Sequence, residues 1–181
     1  YHVIDYSLTD GSARNKHTAQ GYAHESSWAR GQAWAIYGYT MCYRYTGDKR
    51  YLDHAENVYK FIFNHERLPE DLIPYWDYDA PEIPNEPRDA SAAAVTACAL
   101  YEMSTYIPNS PYKATADKIV ESLSSPAYRA EVGTNGNFIL MHSVGSIPHG
   151  HEIDVPINYA DYYFLEALIK KQRLEKGEPI L

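Results

Sequence analysis

Apolar residues recur at helical spacing in five stretches of this chain, and the punctuation between the stretches is clear. Residues 26–45 carry the first pattern, opened by Ser26 or Ser27 as a cap and closed by Gly47. Asp48 caps the next, which reaches Asn64 with Tyr51, Leu52, Ala55, Val58, Tyr59 and Ile62 at helical spacing. The short turn Thr46-Gly47-Asp48 makes these two helices antiparallel neighbours. Residues 68–87 then break the period with Pro69, Pro74, Pro81 and Pro84 and read as a long loop carrying Tyr75, Trp76 and Tyr78. Loops of that length in compact domains are often functional. Asp89 caps a third helix through Tyr106, stopped by Pro108, and Ser110-Pro111 opens a fourth that ends before Pro126. Residues 133–140 read as a turn into one short strand. After the glycine- and histidine-rich stretch 141–154, a last amphipathic helix is predicted over 156–173, with Tyr159, Tyr162, Tyr163, Leu165, Leu168 and Ile169 as its apolar face.

The order helix, short turn, helix, long loop occurs twice, over 26–87 and 89–156, without an exact sequence repeat. That is the rhythm of an all-α toroid of helical hairpins. In such a fold the short turns lie at one mouth, and the long loops with the N-termini of the inner helices lie at the other.

At 181 residues and 45% hydrophobic composition the chain is long enough for one domain with a core. A net charge of −8 argues against nucleic acid or an anionic membrane as partner, since both draw on a basic face. No apolar run approaches the length of a membrane span. The chain begins at Tyr1, with neither an initiator methionine nor a signal peptide, and is read as a piece of something longer. Cys42 and Cys98 fall inside predicted helices among apolar neighbours and read as two buried thiols. Eighteen tyrosines, three tryptophans and eight histidines suit a carbohydrate cleft, but tyrosine also bridges core and solvent in helical arrays, so these counts do not decide between the two.

The chemistry concentrates in Ser27-Trp28-Ala29-Arg30-Gly31-Gln32-Ala33-Trp34, which sets an indole, a guanidinium and a carboxamide in the first turns of a helix. An indole face stacks on a pyranose, an arginine fork pairs with a carboxylate at two points, and a helix N-terminus adds partial positive charge. Upstream, Gln20-Gly21-Tyr22 adds a second polar and aromatic cluster. Together the two resemble the core signature of the unsaturated glucuronyl hydrolases, glycoside hydrolase family 88. The likeness extends to Arg88-Asp89-Ala90-Ser91-Ala92-Ala93-Ala94 and to the block from Tyr159 to Leu168.

The resemblance implies an (α/α)6 barrel of about twelve helices, of which this chain would form the C-terminal half as part of a single catalytic domain over 1–181. It implies a hydrolase acting on oligosaccharides whose non-reducing end is a 4,5-unsaturated uronic acid. Water adds across the C4–C5 double bond, and the product rearranges to release the sugar acid. By motif and spacing, Gln20, Trp28 and Arg30 correspond to substrate contacts and His2 to an active-site histidine. The family's catalytic aspartates lie upstream of that histidine, and no acid of this chain is matched to them. The partners implied are the unsaturated uronide and the N-terminal half of the same barrel; no cofactor is implied.

Plainer roles stand beside these. Trp34 reads as a core ring and Trp28 as either core or ligand surface. Arg30 has Glu25 or Asp89 as structural partners, Gln20 a loop backbone, and Asp89 the N-cap of its helix. Asp161 reads as an anchor for helix packing. His142, His149, His151, Glu152 and Asp154 lack the spacing of a helical metal site, and no metal is expected; Ser143, Ser146 and His149 read instead as a substrate loop reaching the neighbouring sugar. Two other functional readings remain open at this point. One is the unsaturated rhamnogalacturonyl hydrolases of family 105, which Gly31-Gln32-Ala33-Trp34 fits less well, and the other is a noncatalytic carbohydrate-binding fragment.

Overall fold

A computed structural model of the chain describes residues 3–180, so His2 lies outside the described residues. Five α-helices occur among them: α1 (Ala29–Thr46), α2 (Lys49–Phe63), α3 (Ala90–Tyr106), α4 (Tyr112–Ser124) and α5 (Asn158–Lys176). The expected capping holds at three junctions. Gly47 closes α1 in the left-handed conformation, the Asp48 side chain accepts from Arg50 N to open α2, and Asp89 accepts from Ser91 N and Ala92 N to open α3.

The packing makes two layers. α3 lies between α1 and α5, while α2 covers α1 and α4 covers α3. Helix α3 is buried along its length from Ala90 to Met103, and its alanines are what permit this: helices approach closely where side chains are small. Its pattern therefore shows little amphipathicity, as expected of a helix enclosed on all sides.

The structure adds one element that the sequence did not predict and corrects three expectations. A two-stranded antiparallel hairpin, β1 (Val3–Tyr6) with β2 (Ala13–His17), precedes the helices, and its mostly exposed strands carry too little alternation to be seen in the sequence. The strand expected near 140 is only an isolated bridge, Leu140 to Arg129, reached through a 3-10 turn at Asn135–Asn137. Cys98 is buried as expected, but Cys42 is exposed. On α5 the buried positions are Ala160, Phe164, Ala167 and Lys170, whereas Tyr162, Leu165 and Ile169 are 62%, 46% and 52% exposed. Tyr162, Leu165 and Ile169 thus face away from α3, while Phe164 is buried and Tyr163 and Leu168 pack partly buried against the core.

Enlarging a small residue of α3 should be costly. Ala97 is fully buried, and Ala97→Leu is expected to destabilise the fold by about 1–3 kcal/mol through overpacking. Denaturant unfolding measures this directly, and an unchanged midpoint would mean that α3 has room to spare.

Candidate functional site

The N-termini of α1, α3 and α5 lie at one end of the helical layer, and three irregular segments meet there. Residues 18–28, 68–89 and 140–157 are joined by backbone hydrogen bonds: Ala29 N to Trp76 O and Tyr78 N to Ser27 O at 3.0 Å each, Asp89 N to Pro74 O at 2.9 Å, and Ala90 N to His142 O at 3.0 Å. The loop expected to be functional is therefore well fixed, with Tyr75, Trp76, Asp77 and Tyr78 all buried.

These bonds also change how α1 begins. Trp28, not Ser26 or Ser27, occupies its N-cap position, and no side chain caps it. The backbone of residue 76 accepts from Ala29 N instead, and Ser26 Oγ donates to Asp77 at 2.8 Å. A neighbouring loop can satisfy orphan amides as well as a serine can.

Asp77, fully buried, organises the segment ahead of α1. Its Oδ2 accepts from Tyr22 N at 2.9 Å as well as from Ser26 Oγ, and its Oδ1 accepts from Asp79 N at 2.9 Å. A Cβ on Gly21 would stand 2.8 Å from Thr18 Oγ1 and 3.2 Å from Asp77 Oδ2, so a larger residue in the middle of Gln20-Gly21-Tyr22 would force the Thr18 side chain to shift. The sequence reading missed Asp77; an acid inside the aromatic run Tyr75-Trp76-Asp77-Tyr78 was the available signal.

Arg30 is buried, and its fork is directed inward. Nη1 donates to Asp89 Oδ2 at 2.9 Å and to Val144 O, and Nη2 donates to Gly145 O at 2.6 Å. Gln20 Nε2 reaches the same Gly145 carbonyl at 3.1 Å. The guanidinium also lies 4.5 Å from the Trp28 ring centroid and 5.3 Å from that of Tyr159. Gln20, Trp28 and Arg30 are thus brought together, but the two Nη atoms of Arg30 meet protein acceptors and its charge is offset by Asp89. Of the partners weighed for Arg30, the structure selects Asp89. Burial raises the Tyr159 phenol above its usual range, and the Arg30 charge partly opposes that rise.

Trp28 is buried, packed with Trp76, Ala80 and Val144, and borders a cavity of about 520 Å³ that it lines with Thr18, His24, Ser26, Gln32 and Trp34. Arg30 and Gln20 are not among its lining residues. Trp34 is half-buried and packs against the core, edge-to-face with Tyr163 at 5.2 Å and Tyr37 at 6.4 Å.

Residues 143–155 form an irregular hairpin in which Ser143 pairs with Val155 and Ser146 with His151. A Cβ on Gly145 would run into Glu152, whose own Cβ it would approach to 2.7 Å. Ser143 and Ser146 are buried in this hairpin rather than held out toward solvent, while His149 is exposed at its tip and its Nδ1 lies 2.7 Å from Ser146 Oγ. His142, Glu152 and Asp154 have left-handed backbones, a strain that accumulates at functional loops. His142 Nδ1 lies 2.7 Å from Asp154 Oδ1, and among the described residues no three His, Cys, Asp or Glu side chains are grouped to hold a metal ion. Asp161 accepts from Ile139 N and Leu140 N at 2.8 Å each, anchoring the approach to this hairpin rather than helix packing.

Comparison with known proteins adds to this geometry. No family model matches the chain. It is 52% identical over 174 residues to an unsaturated glucuronyl hydrolase of Formosa agariphila, an alignment covering 96% of this chain and 44% of that protein. It is 35% identical to an unsaturated chondroitin disaccharide hydrolase of Streptococcus agalactiae over 94% of this chain and 43% of the relative. Among solved structures, an unsaturated glucuronyl hydrolase specific for heparin matches with a TM-score of 0.95 at 49% identity, over 97% of this chain and 48% of that one. The chain spans about half the length of the curated relatives it matches. Its fold is about half of their (α/α)6 barrel, with α1, α3 and α5 as one layer and α2 and α4 as the other.

Next to Asp89, Arg88 donates to Asp71 Oδ1 at 3.0 Å, and Asp71 Oδ2 accepts from Tyr128 OH at 2.6 Å. Partial burial alone would raise the Asp71 pKa, but the bonds from Tyr128, Ile73 N and Arg88 outweigh it and hold the carboxyl below its ordinary value. Because the folded value is the lower one, Asp71 contributes stability that is complete above about pH 4 and is lost as pH falls through the lowered value. Asp71→Asn should therefore flatten the acid limb of the stability curve, as read by unfolding midpoints across that range. An unchanged acid limb would place the pH dependence elsewhere.

Proposed function

We propose that this chain, homologous along nearly its whole length to about half of the unsaturated glucuronyl hydrolases, is the C-terminal part of a family 88 glycoside hydrolase. The substrate is an oligosaccharide ending in a 4,5-unsaturated uronic acid. The observation that carries the reading is the 52% identity over 96% of the chain, with Gln20, Trp28 and Arg30 gathered where the N-termini of three helices meet.

In the proposed reaction, a carboxyl group delivers a proton to C4 while water adds at C5. The hydrated product rearranges, and the bond to the next sugar breaks. The proton donor comes from the remainder of the barrel, since no acid of this chain is matched to that role. The chain supplies the Trp28 ring as a surface for the sugar and the 143–146 loop beside it, with His2 as a further expected contact. The exposed stripe of Tyr162, Leu165 and Ile169 along α5 supports packing against that remainder, because contiguous apolar surface of this kind marks an interface.

Relatives point to the substrate's source: one is named as specific for heparin, and one from Streptococcus agalactiae, 35% identical, is described in complex with dGlcA-GalNAc6S. The proposed substrates are accordingly disaccharides left by lyases acting on glycosaminoglycans.

The full-length protein should remove the ultraviolet absorbance of the conjugated uronate in such disaccharides. Trp28→Ala should raise KM on the order of tenfold through lost ring contact, and Trp28→Phe, which keeps a ring, should recover part of the loss. Preference for a pectin-derived unsaturated disaccharide would overturn the substrate assignment, and unchanged absorbance with every uronide would overturn the function.

A further inference from the structure

We propose that Asp89 is a positioning residue for the substrate loop, acting through Arg30 on the carbonyls of Val144 and Gly145. The proposal rests on the preceding reading of residues 143–146 as that loop. Asp89 has no exposed surface, and its two oxygens have separate tasks. Oδ1 accepts from Ser91 N at 3.1 Å, Ala92 N at 3.4 Å and Ser91 Oγ at 2.5 Å, which is ordinary helix capping. Oδ2 holds Arg30 Nη1 at 2.9 Å, a bond that capping does not require.

From Arg30 the connection continues to the loop. A guanidinium is planar and presents parallel donors, so fixing Nη1 on Asp89 fixes where Nη2 points. Nη2 meets Gly145 O, which also accepts from Gln20. The next turn of backbone is held independently, since Ala90 N, adjacent to Asp89, donates to His142 O. Three elements, α1, α3 and the residue 20 segment, therefore converge on the carbonyls of three loop residues, His142, Val144 and Gly145. Glu152 packs against Gly145 so closely that a Cβ there would collide with it, and Gly145 N donates to Glu152 O.

This arrangement changes the role of the motif arginine. Nη1 is committed to Asp89 and Val144 O, so a substrate carboxylate bonded there would have to displace buried protein acceptors, whereas Nη2 uses one of its two N–H groups on Gly145 O. Whatever else it touches, Arg30 is the link between a helix cap and the loop proposed to shape the neighbouring sugar's site. Loss of the link should alter binding and selectivity more than turnover.

The test uses the full-length enzyme. Asp89→Ser keeps a capping oxygen but is too short for Arg30, Asp89→Asn keeps the length without the charge, and Arg30→Lys keeps the charge without the fork. Asp89→Ser and Arg30→Lys should each lower hydrogen-exchange protection of the Ser143, Gly145 and Ser146 amides about tenfold. They should also raise KM about tenfold with kcat within about threefold, and bring the kcat/KM ratio between sulfated and unsulfated disaccharides toward one. Asp89→Asn should fall between them and wild type, and carries the test if Asp89→Ser does not fold. Unchanged loop protection, or a lower kcat with KM and the sulfate ratio both preserved, would overturn the proposal. The exchange measurement needs no substrate, so a wild-type protein inactive on every uronide would overturn the functional reading while the anchor is still decided.

Discussion

The buried pair of Arg30 and Asp89 is the constraint on which this end of the molecule depends. Taking both charges out of water costs several kcal/mol, and their mutual attraction repays that only when the remaining donors and acceptors are also satisfied. Here they are: Asp89 accepts from Ser91 and Ala92 while Arg30 donates to two loop carbonyls. The same satisfaction ties α1 to α3 and both to the loop before α5. Breaking such a pair on one side typically costs about 3–5 kcal/mol, because the surviving charge is left without a partner.

The opposite part of the layer is built differently. Lys170, buried on α5, lies 2.8 Å from Glu166 and 3.3 Å from Glu102, and Arg44 on α1 stands 3.5 Å from Glu102. Glu102 also accepts from Tyr106 OH, and burial together with that carboxylate pushes the Tyr106 phenol up to about 12. Cys98 nearby donates to Tyr163 O, and burial first of all keeps its thiol protonated. These ion pairs link α1, α3 and α5 side chain to side chain along regular helices. At the mouth, side chains hold irregular backbone instead, so a rigid helical scaffold carries loops whose shape it dictates.

The helices could be read from the sequence because their signals are local. Gly47, Asp48 and Asp89 act within a few residues of their own position, and the structure uses each as its chemistry predicts. What depended on distant neighbours was less legible. Of the apolar face expected on α5, Tyr163 and Leu168 pack against the core, but Tyr162, Leu165 and Ile169 point outward, and the buried positions are Ala160, Phe164, Ala167 and Lys170. Ser26 is a sound cap by type, yet Asp77, fifty-one residues on, takes its hydroxyl. The site divides in the same way. Trp28, Gln20 and Arg30 were found by motif, whereas Asp77 and the Gly145 carbonyl were not, since a backbone acceptor has no side-chain signature.

The division of labour between Trp28 and Arg30 bears on how an acidic sugar would be recognised. They are neighbours in one motif, yet the indole meets the cavity and the guanidinium is turned away toward Asp89. An ion pair of this kind contributes little net charge to the space in front of it, and the chain as a whole is at −8. Under the proposed function, attraction of an anion over distance would therefore not come from this chain. Its contribution would be shape: the edge of the Trp28 ring, a loop fixed from behind, and Thr18, His24 and Gln32 lining the same cavity. Under the proposed function, the charge that holds the uronate carboxylate then has to come from helix N-termini, other donors at the mouth or the rest of the barrel, while this chain sets which sugar fits beside it.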